Sequence, residues 1–196
     1  MYTRPKALQD FVDATGAAFC SDARPVAVRE FSKRVFALLT RESDNGIRHG
    51  ARFPACKYLD NALEQLTDDR SDLGAVARSI KPLESFVGWQ RRTSGENGSV
   101  DYIDKHVNGM IIGPGGMESR YDVQVGFSLL APATRYPDHR HPPEEAYLLL
   151  TDGEFKQADG PWFSPGVGGG LYNMSNILHA MKSTDAPFLA MWCLLT

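Results

Sequence analysis

The sequence predicts a mainly β chain with an α-helical N-terminal part, that is, several helices followed by a small β-barrel. Three observations carry this. Apolar residues recur at three- and four-residue steps through roughly the first ninety positions. A polar, glycine-rich stretch then follows at 91–99, Arg-Arg-Thr-Ser-Gly-Glu-Asn-Gly-Ser. From about residue 100 the pattern becomes short alternating runs separated by Gly, Pro and Asp. The expected division is therefore 1–99, a helical region packing on the barrel, and 100–196, the barrel itself.

Residues 6–20 read as a helix with Leu8, Phe11, Val12 and Phe19 on one stripe and Gly16 as its weak point. Ser21-Asp22-Ala23-Arg24-Pro25 starts a second helix, with proline near the first turn. Val28, Phe31, Val35, Leu38 and Leu39 keep one face apolar to about Thr40. Asp44-Asn45-Gly46 reads as the turn that ends it, and 47–54 as a loop closed by Pro54. A third helix, about 55–67, carries Leu59, Leu63 and Leu66. Ser71-Asp72 caps a short fourth with Leu73, Val76, Ala77 and Ile80. Pro82 interrupts it, and Leu83, Phe86, Val87 and Trp89 continue toward a helical turn. None of these helices carries a cluster of catalytic residue types, so their expected role is packing and covering. The 91–99 loop is either a linker or a lid.

In the second half, Tyr102 and Val107–Ile112 read as strands and Gly113–Gly116 as a turn. Residues 122–129 alternate, with odd positions apolar. Asp152-Gly153 reads as a hairpin turn between 147–150 and 154–157. After a turn at Asp159-Gly160-Pro161, further strands are expected at 167–172 and 176–181, and a buried one containing Trp192 at 186–195.

The bulk numbers exclude several classes. A net charge of -3 over 196 residues leaves no electrostatic footprint for nucleic acid or an anionic membrane. No apolar run approaches the length of a membrane span, and the N-terminus has no apolar signal core, so the expected location is the cytoplasm. Cys20, Cys56 and Cys193 lack C-x2-C spacing and are expected as free, buried thiols.

The densest group of metal-binding side chains is His139-Arg-His141-Pro-Pro-Glu144-Glu145-Ala-Tyr147. Alternation along a strand puts the odd residues His139, His141, Glu145 and Tyr147 on one side if Pro142-Pro143 keeps the phase. Ala146, Leu148 and Leu150 then pack on the other, and Glu144 faces away. A polar inner face is costly to bury unless something pairs with it, and a divalent metal ion does so. Two His and one carboxylate with open positions form a ligand set that binds substrate on the metal. His179 lies 38 residues beyond His141, far enough for several short strands to return it. His49 and His106 fall in or near loops and carry no assignment.

The spacing H-x-H-x3-E, with Gly126 upstream, Gly153 after it and the distant His179, resembles the cupin superfamily. The second cupin motif fits loosely, through Gly160, Pro165-Gly166 and His179. That resemblance implies a double-stranded β-helix, or jelly-roll, barrel preceded by the helices. Tyr136-Pro-Asp-His139-Arg-His141-Pro-Pro-Glu144-Glu145-Ala-Tyr147, with Leu171-Tyr172-Asn173 ahead of His179-Ala180, is similar to the dimethylsulfoniopropionate (DMSP) lyases of the cupin superfamily, most of all to the DddQ type. The resemblance implies cleavage of DMSP to dimethyl sulfide and acrylate with one divalent metal ion: zinc, iron or manganese. Carried over by position, His141, Glu145, Tyr147 and His179 would be the metal ligands. His139 would stand beside the site or take a ligand place when the tyrosine leaves. Tyr147 would be the base, and Tyr136 would help to hold substrate.

The chemistry is coherent with those roles. Dimethyl sulfide leaves as a neutral molecule, so the barrier lies in removing a proton next to a carboxylate. A Lewis acid on that carboxylate stabilises the charge as it develops. A free phenol, with a pKa of about 10, is a poor base near neutral pH unless a cation lowers it. The sulfonium needs an aromatic face, and Tyr136, Trp162, Phe127 and Trp192 are candidates. The rival enzymatic reading is a cupin Fe(II) dioxygenase of a small organic acid using His139, His141, Glu145 and His179. A rival from another class is a non-catalytic cupin that binds a small ligand.

Overall fold

A computed structural model describes residues 3–46 and 51–196. Helices α1 (Lys6–Cys20) and α2 (Val26–Leu38) form where apolar stripes predict them. Leu8, Phe11, Val12 and Phe19 are buried on α1, and Val28, Phe31 and Val35 on α2. Pro25 occupies the N-cap of α2, where its missing N–H costs nothing and its carbonyl accepts from Arg29 N at 3.0 Å. Asp44–Asn45 is not a turn; it forms strand β1. Glycine at 46 permits this, because a Cβ there would meet Gly116 O at 1.6 Å. The expected 47–54 loop, with His49, lies partly outside the described residues.

A 3-10 turn, Pro54–Tyr58, leads straight into α3 (Leu59–Thr67). Helix α4 (Asp72–Ile80) is capped by Ser71, whose Oγ accepts the Gly74 N–H at 3.3 Å. After a second 3-10 turn, Lys81–Phe86, the chain becomes extended. Trp89, expected in a helical turn, is the centre of strand β2 (Gly88–Gln90) and packs edge-on against Phe127. Tyr102, expected in a strand, opens the one-turn helix α5 (Tyr102–Lys105). The remaining strands are β3 (His106–Ile112), β4 (Glu118–Ser119), β5 (Val123–Leu130), β6 (Glu144–Leu149), β7 (Glu154–Gln157), β8 (Gly170–Asn173), β9 (His179–Lys182) and β10 (Phe188–Leu195).

The large sheet runs β1-β4-β3-β5-β10-β6-β8, with β2 paired to β3; β7 and β9 form a second, small sheet. Strands β1 and β2, both from before residue 99, thus join the large sheet. Strand β10 lies antiparallel between β5 and β6, which sets Trp192 opposite Gly126 on one side and Tyr147 on the other. Asp152-Gly153 is not a hairpin turn, because β6 pairs with β10 and β8 while β7 pairs with β9. It carries the chain from one sheet to the other. A Cβ on Gly153 would come within 2.2 Å of the Phe188 ring, so the crossing is closed by packing rather than by strand pairing.

Two apolar layers follow from strand alternation. Val123, Val125, Phe127 and Leu129 of β5, with Ala146 and Leu148 of β6, face the helices. Tyr147, Leu149, Phe155, Leu171, Met181 and Trp192 lie between the sheets. The result is a cupin-like β-sandwich with N-terminal helices on one outer face. No described helix is long and apolar enough to cross a membrane.

Candidate active site and metal centre

The site lies between the two sheets. Alternation on β6 turns Glu145 and Tyr147 inward, while Ala146 and Leu148 pack under the helices. Glu144 faces away, bonded to Tyr172 Oη and to Arg34. His139 and His179 exchange both backbone hydrogen bonds, at 3.0 and 2.9 Å, which holds their rings 4.0 Å apart between centroids. Candidate ligand atoms of His139, His141 and His179 all lie within 4.8 Å of one another. Glu145 Oε2 is 3.3 Å from Nε2 of both His141 and His179.

All three imidazoles are oriented in the same way. Nδ1 of His139, His141 and His179 meets the carbonyl of Pro137, Pro143 and Ile177 at 2.9, 2.9 and 3.0 Å. An Nδ1 that donates to a carbonyl leaves Nε2 as a bare acceptor in the neutral ring. His179 Nε2 is buried, makes no hydrogen bond and faces a carboxylate oxygen. Imidazole lone pairs gathered against a carboxylate oxygen are costly to bury, and a divalent cation satisfies them together. The donor set thus fits an ion that accepts imidazole nitrogen and carboxylate oxygen, as zinc, iron and manganese do.

The electrostatics agree. Burial, helped by the neighbouring His179, lowers the pKa of His139 to about 3, so its ring stays neutral. Burial would raise Glu145, but its contacts with His141 and His179 outweigh that and hold the carboxylate below its ordinary range. For His141 burial works against protonation, yet Glu145 beside it raises the pKa overall. Tyr147 is pushed well above 10.0 by burial and by the Glu145 charge.

A cavity of about 150 Å³ opens beside the cluster, smaller than the ~300–1,000 Å³ of drug-sized sites. Tyr136 and Trp192 line it. Phe127 does not: odd residues of β5 face the helices, and the even Gln124 and Ser128 face the cavity. Trp162 lies outside, half-buried, with Lys182 and Arg135 at 4.6 and 5.2 Å over its ring. His106 is buried behind Tyr136, with ring centroids 4.8 Å apart. Sequence reasoning gave no role to Asn173, which donates to Glu145 Oε2 at 3.1 Å, and missed Arg92, Asn108 and Ser128 in the cavity wall. Only pairing of β6 with β8 brings Asn173 opposite Glu145, and no sequence spacing signals that.

A cupin-like sandwich whose cavity gathers histidines and a carboxylate defines the class: a cupin-like fold with a donor set that could hold a metal ion. Comparison with known proteins narrows it. The model of the dimethylsulfoniopropionate lyases matches residues 27–190, and the chain belongs to that family. The DMSP lyase DddQ of Ruegeria pomeroyi is 28% identical over 118 residues, a match that covers 60% of this chain and 59% of the relative. The crystal structure of DddQ from the same organism superposes with a TM-score of 0.69 at 18% identity, covering 98% of this chain and 93% of that one. A crystal structure from a study of the DMSP lyases RdDddP and RnDddQII gives 0.72 at 18% identity, covering 97% and 93%. At that identity the superpositions show a shared fold.

Proposed function

We propose that this chain cleaves DMSP to dimethyl sulfide and acrylate by metal-dependent β-elimination, with Tyr147 as the base. The observation that carries this is the convergence of His139, His141, His179 and Glu145 on one point in a small cavity, with Tyr147 on the next inward position of the same strand. His141, Glu145 and His179 are assigned as ligands, with Tyr147 and His139 alternating in the remaining place. A divalent ion held there supplies, when bound, positive charge against the substrate carboxylate and a field that favours the Tyr147 phenolate.

Tyr147 Oη takes the α-proton. The electron pair of that C–H bond becomes the acrylate double bond, and the C–S pair departs with sulfur as neutral dimethyl sulfide. Trp192, exposed by only 6%, presents the aromatic wall that suits the sulfonium.

The test is dimethyl sulfide in the headspace and acrylate in solution, from purified protein given DMSP under nitrogen, with and without prior chelation. Equal release of both, lost on chelation and restored by a divalent metal, is expected. Inclusion of His139 in the cluster favours one second reading, an Fe(II) dioxygenase with His139, His141, Glu145 and His179 as ligands. Product formation that requires oxygen would establish that reading and refute the lyase. Binding of DMSP in calorimetry without turnover would instead mark a non-catalytic ligand-binding cupin.

A further inference from the structure

Arg92 lines the same cavity, and the elimination set out above does not use it. It is half-buried on the 91–99 loop, and this stretch of chain is anchored. The Arg92 backbone N–H donates to His106 Nε2 at 2.9 Å, and His106 Nδ1 is itself fixed on Tyr102 O at 2.5 Å. Further along, Asp138 N donates to Glu96 O at 2.9 Å and Ser99 N to Arg135 O at 3.0 Å. The loop is thereby stitched to the segment that bears Tyr136 and His139, and forms part of the cavity wall.

Arg92 Nε donates to Tyr136 Oη at 3.3 Å, and the guanidinium forms no ion pair among the described residues. Asn108 Nδ2 also donates to Tyr136 Oη, at 3.2 Å. The Asn108 amide is oriented by Ser128, whose Oγ donates to Asn108 Oδ1 at 2.7 Å. A phenol has one proton and two acceptor positions. Both acceptor positions on Tyr136 are occupied, so its proton is left to donate. A guanidinium fork without a carboxylate and a hydroxyl proton without an acceptor therefore stand side by side at the cavity. Their natural complement is a carboxylate, which takes parallel hydrogen bonds from arginine and a further one from a hydroxyl.

We infer that Arg92 and the Tyr136 hydroxyl complete the carboxylate-binding subsite beside the metal centre, and so orient substrate with its cationic end away from Arg92 and toward Trp192. This rests on the lyase reading for the identity of the substrate, but the subsite itself selects small acids as a class. It also explains why Tyr136 is the poorer of the two aromatic walls for a sulfonium. Arg92 places a like charge beside it, whereas the six-membered ring of Trp192 lies against Gly126, with Met110 and Leu194 as further apolar wall.

The experiment uses metal-loaded protein with Arg92→Met, Arg92→Lys and the wild type. The probes are propionate, a carboxylate without the cation, and trimethylsulfonium, the cation without the carboxylate. Binding is read by calorimetry and by inhibition of dimethyl sulfide release. Propionate affinity should fall roughly 10- to 100-fold in Arg92→Met, the range for losing a charge-assisted hydrogen bond. Arg92→Lys should recover part of it, keeping the charge without the fork. Trimethylsulfonium should bind as well or better in Arg92→Met. The inference is overturned if wild type does not bind propionate, if propionate is indifferent to Arg92→Met, or if both probes weaken together. The last result would mean that Arg92 only props up Tyr136. Arg92-dependent propionate binding without release of dimethyl sulfide would sink the lyase reading and leave the subsite standing. Release of dimethyl sulfide with Arg92-independent propionate binding would do the reverse.

Discussion

Replacing Asn173 by leucine removes a single hydrogen bond from the buried Glu145 carboxylate and nearly conserves side-chain volume. Asn173 is fully buried and lies directly opposite Glu145 in the β6–β8 ladder. Its Nδ2 donates to Glu145 Oε2 at 3.1 Å, and its Oδ1 accepts from Gln157 Nε2 at 2.6 Å. The chain Gln157–Asn173–Glu145 therefore aims one carboxylate oxygen at His141 and His179. A hydrogen bond to a charged group is worth about 1.5–3 kcal/mol. At about 1.4 kcal/mol per tenfold, that is roughly 10- to 150-fold in an equilibrium constant. Loss of an outer partner of a metal ligand typically weakens metal binding about 10- to 100-fold. The two ranges agree, so zinc affinity of Asn173→Leu, read by competition with a chromogenic chelator, should fall by roughly 10- to 100-fold. Gln157→Leu removes a neutral bond one step further out and should weaken it by only about 2- to 10-fold. Zinc binding by Asn173→Leu within about twofold of wild type would refute the reasoning. Glu145 would then either not be a ligand or not depend on Asn173 for its aim.

Three further outcomes test other parts of the structure. Tyr147→Phe should lower turnover of DMSP at least ~100-fold, the scale of a lost general base, while metal content per protein stays at the wild-type level. Gly126→Ala should destabilise by about 1–3 kcal/mol in urea unfolding, because the new Cβ would meet Gly109 O at 2.2 Å and Trp192 at 2.6 Å. A neutral result there would mean that β3 and β5 separate more easily than their pairing implies. Burial holds His106 below its ordinary value of 6.5. The unfolded chain therefore takes up a proton that the folded one refuses, so this stabilisation is complete above 6.5 and is lost as pH falls through the depressed folded value. Between about pH 7.5 and pH 5 the wild type should lose more stability than His106→Asn, and equal losses would count against the assignment.

The amphipathic helices and the inward parity of Glu145 and Tyr147 were legible because both depend on local period alone. The small misreadings share one cause. Asp44-Asn45 has turn composition but becomes a strand, because Gly46 lets its backbone close against Gly116 and Met117. Trp89 continues an apolar run that reads as helical, yet it pairs with Gly109 and rests on Phe127. Asp152-Gly153 has the chemistry of a hairpin, and only the positions of β9 and β10 decide that it crosses between sheets. In each case a partner distant in sequence overrides local preference. Phe127 and Trp162 differ from Tyr136 and Trp192 in the same respect. All four are aromatic residues of the β half; register sets the face of Phe127 on β5 and of Trp192 on β10, while Tyr136 and Trp162 lie on connecting segments placed by their tertiary contacts, and composition encodes neither.

Register also explains why the donor set needs two sheets. Glu145 belongs to β6 of the large sheet, and His179 opens β9 of the small one. The paired backbones of His139 and His179 join the segment ahead of β6 to that small sheet. The small sheet contains only β7 and β9, too few strands for independent stability in water. Its apolar side chains, Phe155 and Met181, hold it against the large sheet, and the histidine cluster lies at the same junction. An ion bound by residues from both sheets then links their packing to the geometry of the site. Sheet separation would pull Glu145 away from His179 and so break up the donor set. Were an ion held there, its affinity and the packing of the sandwich would be coupled, and the motif spacing H-x-H-x3-E does not include the partner strand that carries His179.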